Sequence, residues 1–339
     1  MTFGLVSFGT ALGDPAPVAE VVDEYSTDRE RVLGYGYHNV YRCPPETGLT
    51  DLSFNAGRQA LAEAEVDPGD VDLVLLAITD IAEYLYWDPA ASLAHRLGAG
   101  RAEALLLTQA CTAGVLGLDL LAGKFATHPE YHTALVVAAN RSCENYWNRL
   151  DTQPMVFSDG AAAAVARRGH PRFRWLVTEV LTDGRFADFY RLDAGGAAAP
   201  FRPDATTPDS LAARDAWSVL DHFDYDAEKF ERFAALIDDN TRAVVETACE
   251  RAGLERDELS RFILLNDNQQ AMRAVADRLD VPLERTNADL AAQFGHLGAA
   301  DQLFCLDRYH RQGRITPGQR LALVSRGRGM HWACTILAA

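Results

Sequence analysis

The chain has 339 residues, 48% of them hydrophobic and 24% charged, enough for a large buried core and roughly two domain-sized units. A formal net charge of −16 argues against nucleic acid or an anionic membrane as a partner. The cysteines at 43, 111, 143, 249, 305 and 334 are scattered without close pairs. No basic leader and no run of about 18 apolar residues is evident, so reduced thiols, a cytoplasmic location and no membrane contact are expected.

Taken in order, the chain opens on a strand-like stretch over 1–12. A helical pattern follows over 53–65, then LVLLAI at Leu73–Ile78, a short apolar run suited to a strand buried on both faces. EYLYWDP (83–89) is an aromatic loop. Residues 104–107 read as a strand, 112–125 as a helix and 134–138 as another buried strand. HPEYH (128–132) has two histidines four apart, but Pro129 and its place in a helix–strand connection argue against a metal site. The acidic stretch 193–226, with Trp217, His222 and Phe223, reads as a surface excursion beside a substrate route. GRGM (327–330) sits between two strands, a hairpin turn rather than a phosphate loop opening a helix.

The pattern repeats. ALAEAEVDPGDVDLVLLAITD (60–80) aligns without a gap on ACERAGLERDELSRFILLNDN (248–268). LLLTQACTAGVLGLDLLAGKF (105–125) corresponds to DLAAQFGHLGAADQLFCLDRY (289–309), and TALVVAAN (133–140) to RLALVSRG (320–327). Two α/β halves, 1–170 and 171–339, are expected, the first carrying a nucleophile and the second a histidine. Cys111 and His296 fall at equivalent helix heads. If the halves pack about a pseudo-twofold axis these heads converge, setting a thiol at a positive helix end beside a proton carrier.

TQACTAGVLGLDLL (108–121) resembles the nucleophile segment of the β-ketoacyl synthase III family of the thiolase superfamily. MVFSDGAAAAV (155–165) and GRITPGQRLALVSRGRGMHWACTIL (313–337) are similar to further segments of it. The resemblance implies a five-layered αβαβα thiolase fold and a homodimer. It implies no cofactor: the acyl group arrives as a CoA or acyl-carrier-protein thioester. The family's nucleotide-gripping Arg and Trp have no counterpart in GYGYHNVYRC (34–43), which favours carrier-protein delivery.

The family's catalytic set is Cys, His and Asn. Here Cys111 keeps the first. Leu265 stands in the place of the His, with Asn268 matching the Asn of that His-Gln-Ala-Asn segment, and His296 stands in the place of the catalytic Asn. The usual His–Asn pair supplies two hydrogen bonds to an enolate formed by decarboxylation, and a Leu supplies none. What the residues leave is a nucleophile and one general base, which suits acyl transfer to a small-molecule hydroxyl or amine. Ester- and amide-forming relatives of specialised metabolism, antibiotic biosynthesis among them, orient the His with an acid on the C-terminal turn. The matching residue here is His331, and Asp301 is the alternative. By the same resemblance the oxyanion hole is the backbone of Cys111 and Gly329. The family's acyl pocket takes a side chain from the partner subunit's loop, so the resemblance implies that Tyr84, Tyr86 and Trp87 wall the pocket across the dimer, with Leu265 as a further wall residue. The competing expectations are a decarboxylating ketosynthase and a non-catalytic subunit of a heterodimeric synthase.

Overall fold

The computed structural model describes residues 2–151, 153–200 and 222–339. Its strands are β1 (Phe3–Leu12), β2 (Asp14–Pro17), β3 (Asn39–Arg42), β4 (Leu73–Ile78), β5 (Glu103–Leu107), β6 (Thr133–Asn140), β7 (Gly160–Arg168), β8 (Arg174–Thr182), β9 (Leu259–Ile263), β10 (Arg320–Gly327) and β11 (His331–Ala338). Every residue of β4 and β6 is buried, the reason these strands carry continuous apolar runs rather than alternation.

Nine strands run in the order β5-β4-β6-β7-β1-β8-β11-β10-β9, while β2 and β3 form a separate ribbon. β4 is parallel to both β5 and β6, and β9 is parallel to β10. The remaining pairings in the large sheet are antiparallel. β1 and β8 meet at a single pair, Gly4 with Arg174. The sheet therefore bends into a five-stranded and a four-stranded wing. The helix Ala113–Thr127 touches strands of both wings, as does Asp301–Arg311. Leu49–Glu63 covers the outer face of the first wing and Ala227–Ala252 that of the second. Three buried clusters fill the spaces between helix and sheet layers. This is the five-layered thiolase arrangement.

Two details differ from the sequence reading. Residues 289–293 lie in a helix, Ala288–Phe294, so nothing in the second wing matches edge strand β5. The segment Ala110–Thr127, 18 residues, is long and apolar enough to cross a membrane, against the expectation of no such run. Half of it is buried inside the protein, because it is wedged between two apolar sheet faces.

The heads of the two central helices touch directly. A Cβ at Gly114 would lie 2.0 Å from the Ala299 carbonyl oxygen, so only glycine lets the backbones approach this far. Gly114→Ala is expected to lower stability by about 1–3 kcal/mol, the usual scale of overpacking. Urea unfolding of the variant against wild type measures it. No change in midpoint would mean that the helix heads are not in contact.

Candidate active site

Cys111 follows β5 on a one-turn 3-10 helix, Ala110–Thr112, that leads into Ala113–Thr127. Its neighbour Ala110 has φ +51°, a left-handed conformation that costs a non-glycine residue energy and recurs where a turn is held for function. The Ser325 hydroxyl donates to the Cys111 carbonyl at 2.8 Å, tying the nucleophile turn to β10.

His296 comes from the other wing and is fully buried. Its backbone N–H donates to the Val156 carbonyl, and its carbonyl accepts from the Ser158 N–H, both at 2.8 Å. The Phe157 ring meets the imidazole edge-on at 4.9 Å. The imidazole is thus clamped by the first half of the chain. Its Nε2 lies 3.1 Å from Cys111 Sγ, and its Nδ1 lies 2.6 Å from Asp301 Oδ2. Asp301 also accepts the backbone N–H of Leu297 at 2.7 Å and of Asn266 at 2.8 Å. With the carboxylate serving as acceptor for these groups, Nδ1 is the donor and Nε2 is directed at sulfur. Burial opposes a charge on His296, but the Asp301 carboxylate and the Cys111 sulfur outweigh it and lift the imidazole well above its ordinary value.

The structure thus brings Cys111, His296 and Asp301 into one line. The orienting contact comes from Asp301, not His331. Both nitrogens of His331 are used elsewhere, at 2.8 Å from Gln109 Nε2 and 2.9 Å from Thr182 Oγ1, and burial holds its imidazole below the ordinary value. Asn268 lines the cavity, but its Oδ1 caps the helix Gln269–Arg278 through the Ala271 N–H and its Nδ2 donates to the Pro154 carbonyl. Leu265 is 5% exposed and forms part of the cavity wall.

Gly329, expected to supply an oxyanion N–H, is not among the residues that line the cavity. Gly329 packs on the His331 ring, where a Cβ would meet Nε2 at 2.3 Å, and the cavity wall is made instead by Gly327, Arg328 and Met330. A Cβ on Gly327 would stand 3.3 Å from the Cys111 nitrogen, so glycine at this position keeps a side chain off the nucleophile turn. The sequence reading missed Gly327, whose place at the end of β10 opposite the nucleophile turn was the available signal. It also missed Asn266 and Asn287. The Asn287 amide donates to Asn266 Oδ1 and to the Leu264 carbonyl, holding the strand end whose N–H reaches Asp301.

The cavity in front of Cys111 measures about 650 Å3. Its walls include Trp147 and Phe157 on one side and Phe230, Phe233 and Ile237 on the other. In the aromatic loop it is Leu85, and just before it Ile81, that reach the wall. Tyr84 and Tyr86 are 69% and 111% exposed, and Trp87 packs against Tyr84; none of the three lines the pocket within its own chain. His222 and Phe223 pack on Phe189, whereas Trp217 lies outside the described residues. Burial raises the other thiols, Cys43 to about 12 and Cys249 to about 11, with Cys143, Cys305 and Cys334 also pushed up. Those five are poor nucleophiles.

Comparison with known proteins bears on the family and the fold. Residues 107–184 match the family model described as 3-oxoacyl-[acyl-carrier-protein (ACP)] synthase III, and residues 249–339 match its C-terminal counterpart. The β-ketoacyl-[acyl-carrier-protein] synthase III of Synechocystis sp. is 29% identical, covering 98% of this chain and 97% of its own. That of Gloeobacter violaceus is 32% identical, covering 85% and 83%. Among solved structures, the acyltransferase ChlB3 superposes with a TM-score of 0.86 at 23% identity, over 100% of this chain and 98% of its own.

Proposed function

The chain belongs to the 3-oxoacyl-[acyl-carrier-protein] synthase III family, and from that premise we propose that it is an acyltransferase forming esters or amides. The acyl group comes from a carrier-protein or CoA thioester, rests on Cys111 and passes to a hydroxyl or amine of a small molecule of specialised metabolism. The observation that carries the reading is the Cys111–His296–Asp301 line with Leu265 beside it. It offers one proton carrier, and a leucine, which cannot donate, in the place of the second hydrogen-bond donor to an enolate.

In the first step Cys111 Sγ attacks the thioester carbonyl, and the departing thiolate takes the proton from His296 Nε2. The backbone N–H of Cys111 is assigned to the developing oxyanion, and glycine at 327 keeps a side chain off that turn. The acylated sulfur no longer helps to hold a proton on His296, one of the causes of its raised value. The imidazole is then neutral, with Asp301 on Nδ1. In the second step the acceptor loses its proton to Nε2 as it attacks the acyl carbon. The Cys111 sulfur leaves and recovers that proton.

A homodimer fits two exposed features. β5 is an edge strand with Leu106 39% exposed, and the loop bearing Tyr84, Leu85 and Tyr86 stands free. Sedimentation equilibrium tests the assembly.

The reaction class is tested with labelled malonyl thioester offered together with an acyl donor. No carbon dioxide release dependent on Cys111 is expected, because losing one oxyanion donor costs about 2.7–4 kcal/mol of barrier. Catalytic gas release with a β-keto product would instead establish a condensing enzyme. Leu265→His alone is not expected to restore condensation, since His296 still fills the place of the second donor.

A further inference from the structure

Four charged side chains reach the wall of the catalytic cavity: Asp80, Asp267, Arg326 and Arg328. Three of them are satisfied within the protein. Arg326 is ion-paired with Asp267. Asp80 accepts from the Ile81 N–H, the Cys143 N–H and the Trp147 indole at 2.8–3.0 Å. Arg328 differs. Among the described residues its guanidinium makes one hydrogen bond, to the Thr79 carbonyl at 2.6 Å, and has no carboxylate within ion-pairing distance. Arg328 is exposed, and the four N–H groups of its guanidinium fork not used on Thr79 are open to solvent or a ligand.

Its position matters as much as its charge. Arg328 directly follows Gly327, the glycine that stands against the Cys111 nitrogen, and Thr79 lines the same cavity. A planar cation in the cavity wall that Cys111 also lines, a wall otherwise mostly apolar, matches the bidentate geometry of a carboxylate. We infer that Arg328 selects an acyl group ending in a carboxylate, the monothioester of a short dicarboxylic acid. The inference rests on the acyl-Cys111 reading and names its substrate class. Loading is the thioester exchange already described: the Cys111 Sγ–acyl bond forms, the donor C–S bond breaks, and the proton of the Cys–His pair leaves on the donor thiol. The distal carboxylate stays intact. Leu265 favours this outcome, because it gives no hydrogen bond to the enolate that loss of carbon dioxide would need.

The test uses succinyl and butyryl thioesters of N-acetylcysteamine, so that the distal carboxylate is the only anion on the substrate and no nucleotide phosphate competes. Loading of the intact protein is followed by mass spectrometry without an acceptor. Succinyl is expected to load with a second-order acylation rate constant about ten- to hundredfold above butyryl, the scale of a charge-assisted hydrogen bond. Arg328→Gln is expected to collapse that ratio towards one, and Arg328→Lys to recover part of it. Equal loading of the two by wild type, or a ratio unmoved in Arg328→Gln, overturns the carboxylate inference while leaving acyl-Cys111 in place. A wild-type protein that takes neither group overturns both.

Discussion

Replacing Cys111 with Ala is expected to reduce both covalent acylation and turnover to background. Removal of an attacking side chain that acts as a unit with its base costs about 10⁶-fold where it has been measured. No other thiol can take over. Burial raises the remaining five, and His296 Nε2 is directed at Cys111 Sγ. Cys143→Ala, at a half-buried thiol, is the control and is expected to acylate normally. Intact-protein mass spectrometry after exposure to a panel of acyl thioesters reads the mass gained and so also identifies the donor. Stable acylation of the Cys111→Ala protein would reject the assignment.

His296→Ala is expected to slow transfer by about 10²–10⁴-fold, the scale of a lost general base. Loading suffers less, because a thiolate leaves a thioester without needing a proton, whereas an alcohol or amine must lose one to attack. Single-turnover measurement of the two steps separates them, and equal transfer rates in variant and wild type would remove His296 from the chemistry. Asp301→Asn adds a signature in pH. The carboxylate raises the imidazole, so removing its charge moves the acid limb of the transfer profile to lower pH while the maximal rate falls. An unmoved limb would show that Asp301 acts on shape alone. The same linkage bears on stability. His296 binds its proton more tightly folded than unfolded. Its contribution is full below the unfolded value of about 6.5 and is lost as pH rises through the folded one.

Much of the frame was legible from residue pattern. Leu73–Ile78 is a strand over the very residues that read as one, because a six-residue apolar run without alternation suits the middle of a covered sheet. The placing of Cys111 and His296 at matched helix heads was legible for a similar reason: the repeat carries local structure, and local structure sets where helices begin. The orienting group was harder to read. His331 lies on the turn where the resemblance puts an acid, yet Asp301, five residues beyond His296, makes the contact. A helix-head acid is ordinary in a sequence, and only the Gly298 turn, at φ +59°, folds it back onto the histidine. The wall of the cavity was least legible. Arg328 is one of many arginines until β10 and the nucleophile turn are brought together by pairings more than 200 residues apart in sequence.

The clamp on His296 has a consequence for how the chain acquires its chemistry. Its backbone is stitched to 156–158 as an isolated parallel bridge, Phe157 to His296, while its imidazole meets a sulfur 185 positions away. Contacts of such sequence separation form late, since the loop they close must first be ordered. During synthesis the nucleophile turn emerges from the ribosome long before its proton carrier. A nascent or half-folded chain therefore holds Cys111 without a partner, and activity measured during refolding would report closure of the last long-range contact rather than growth of the sheet.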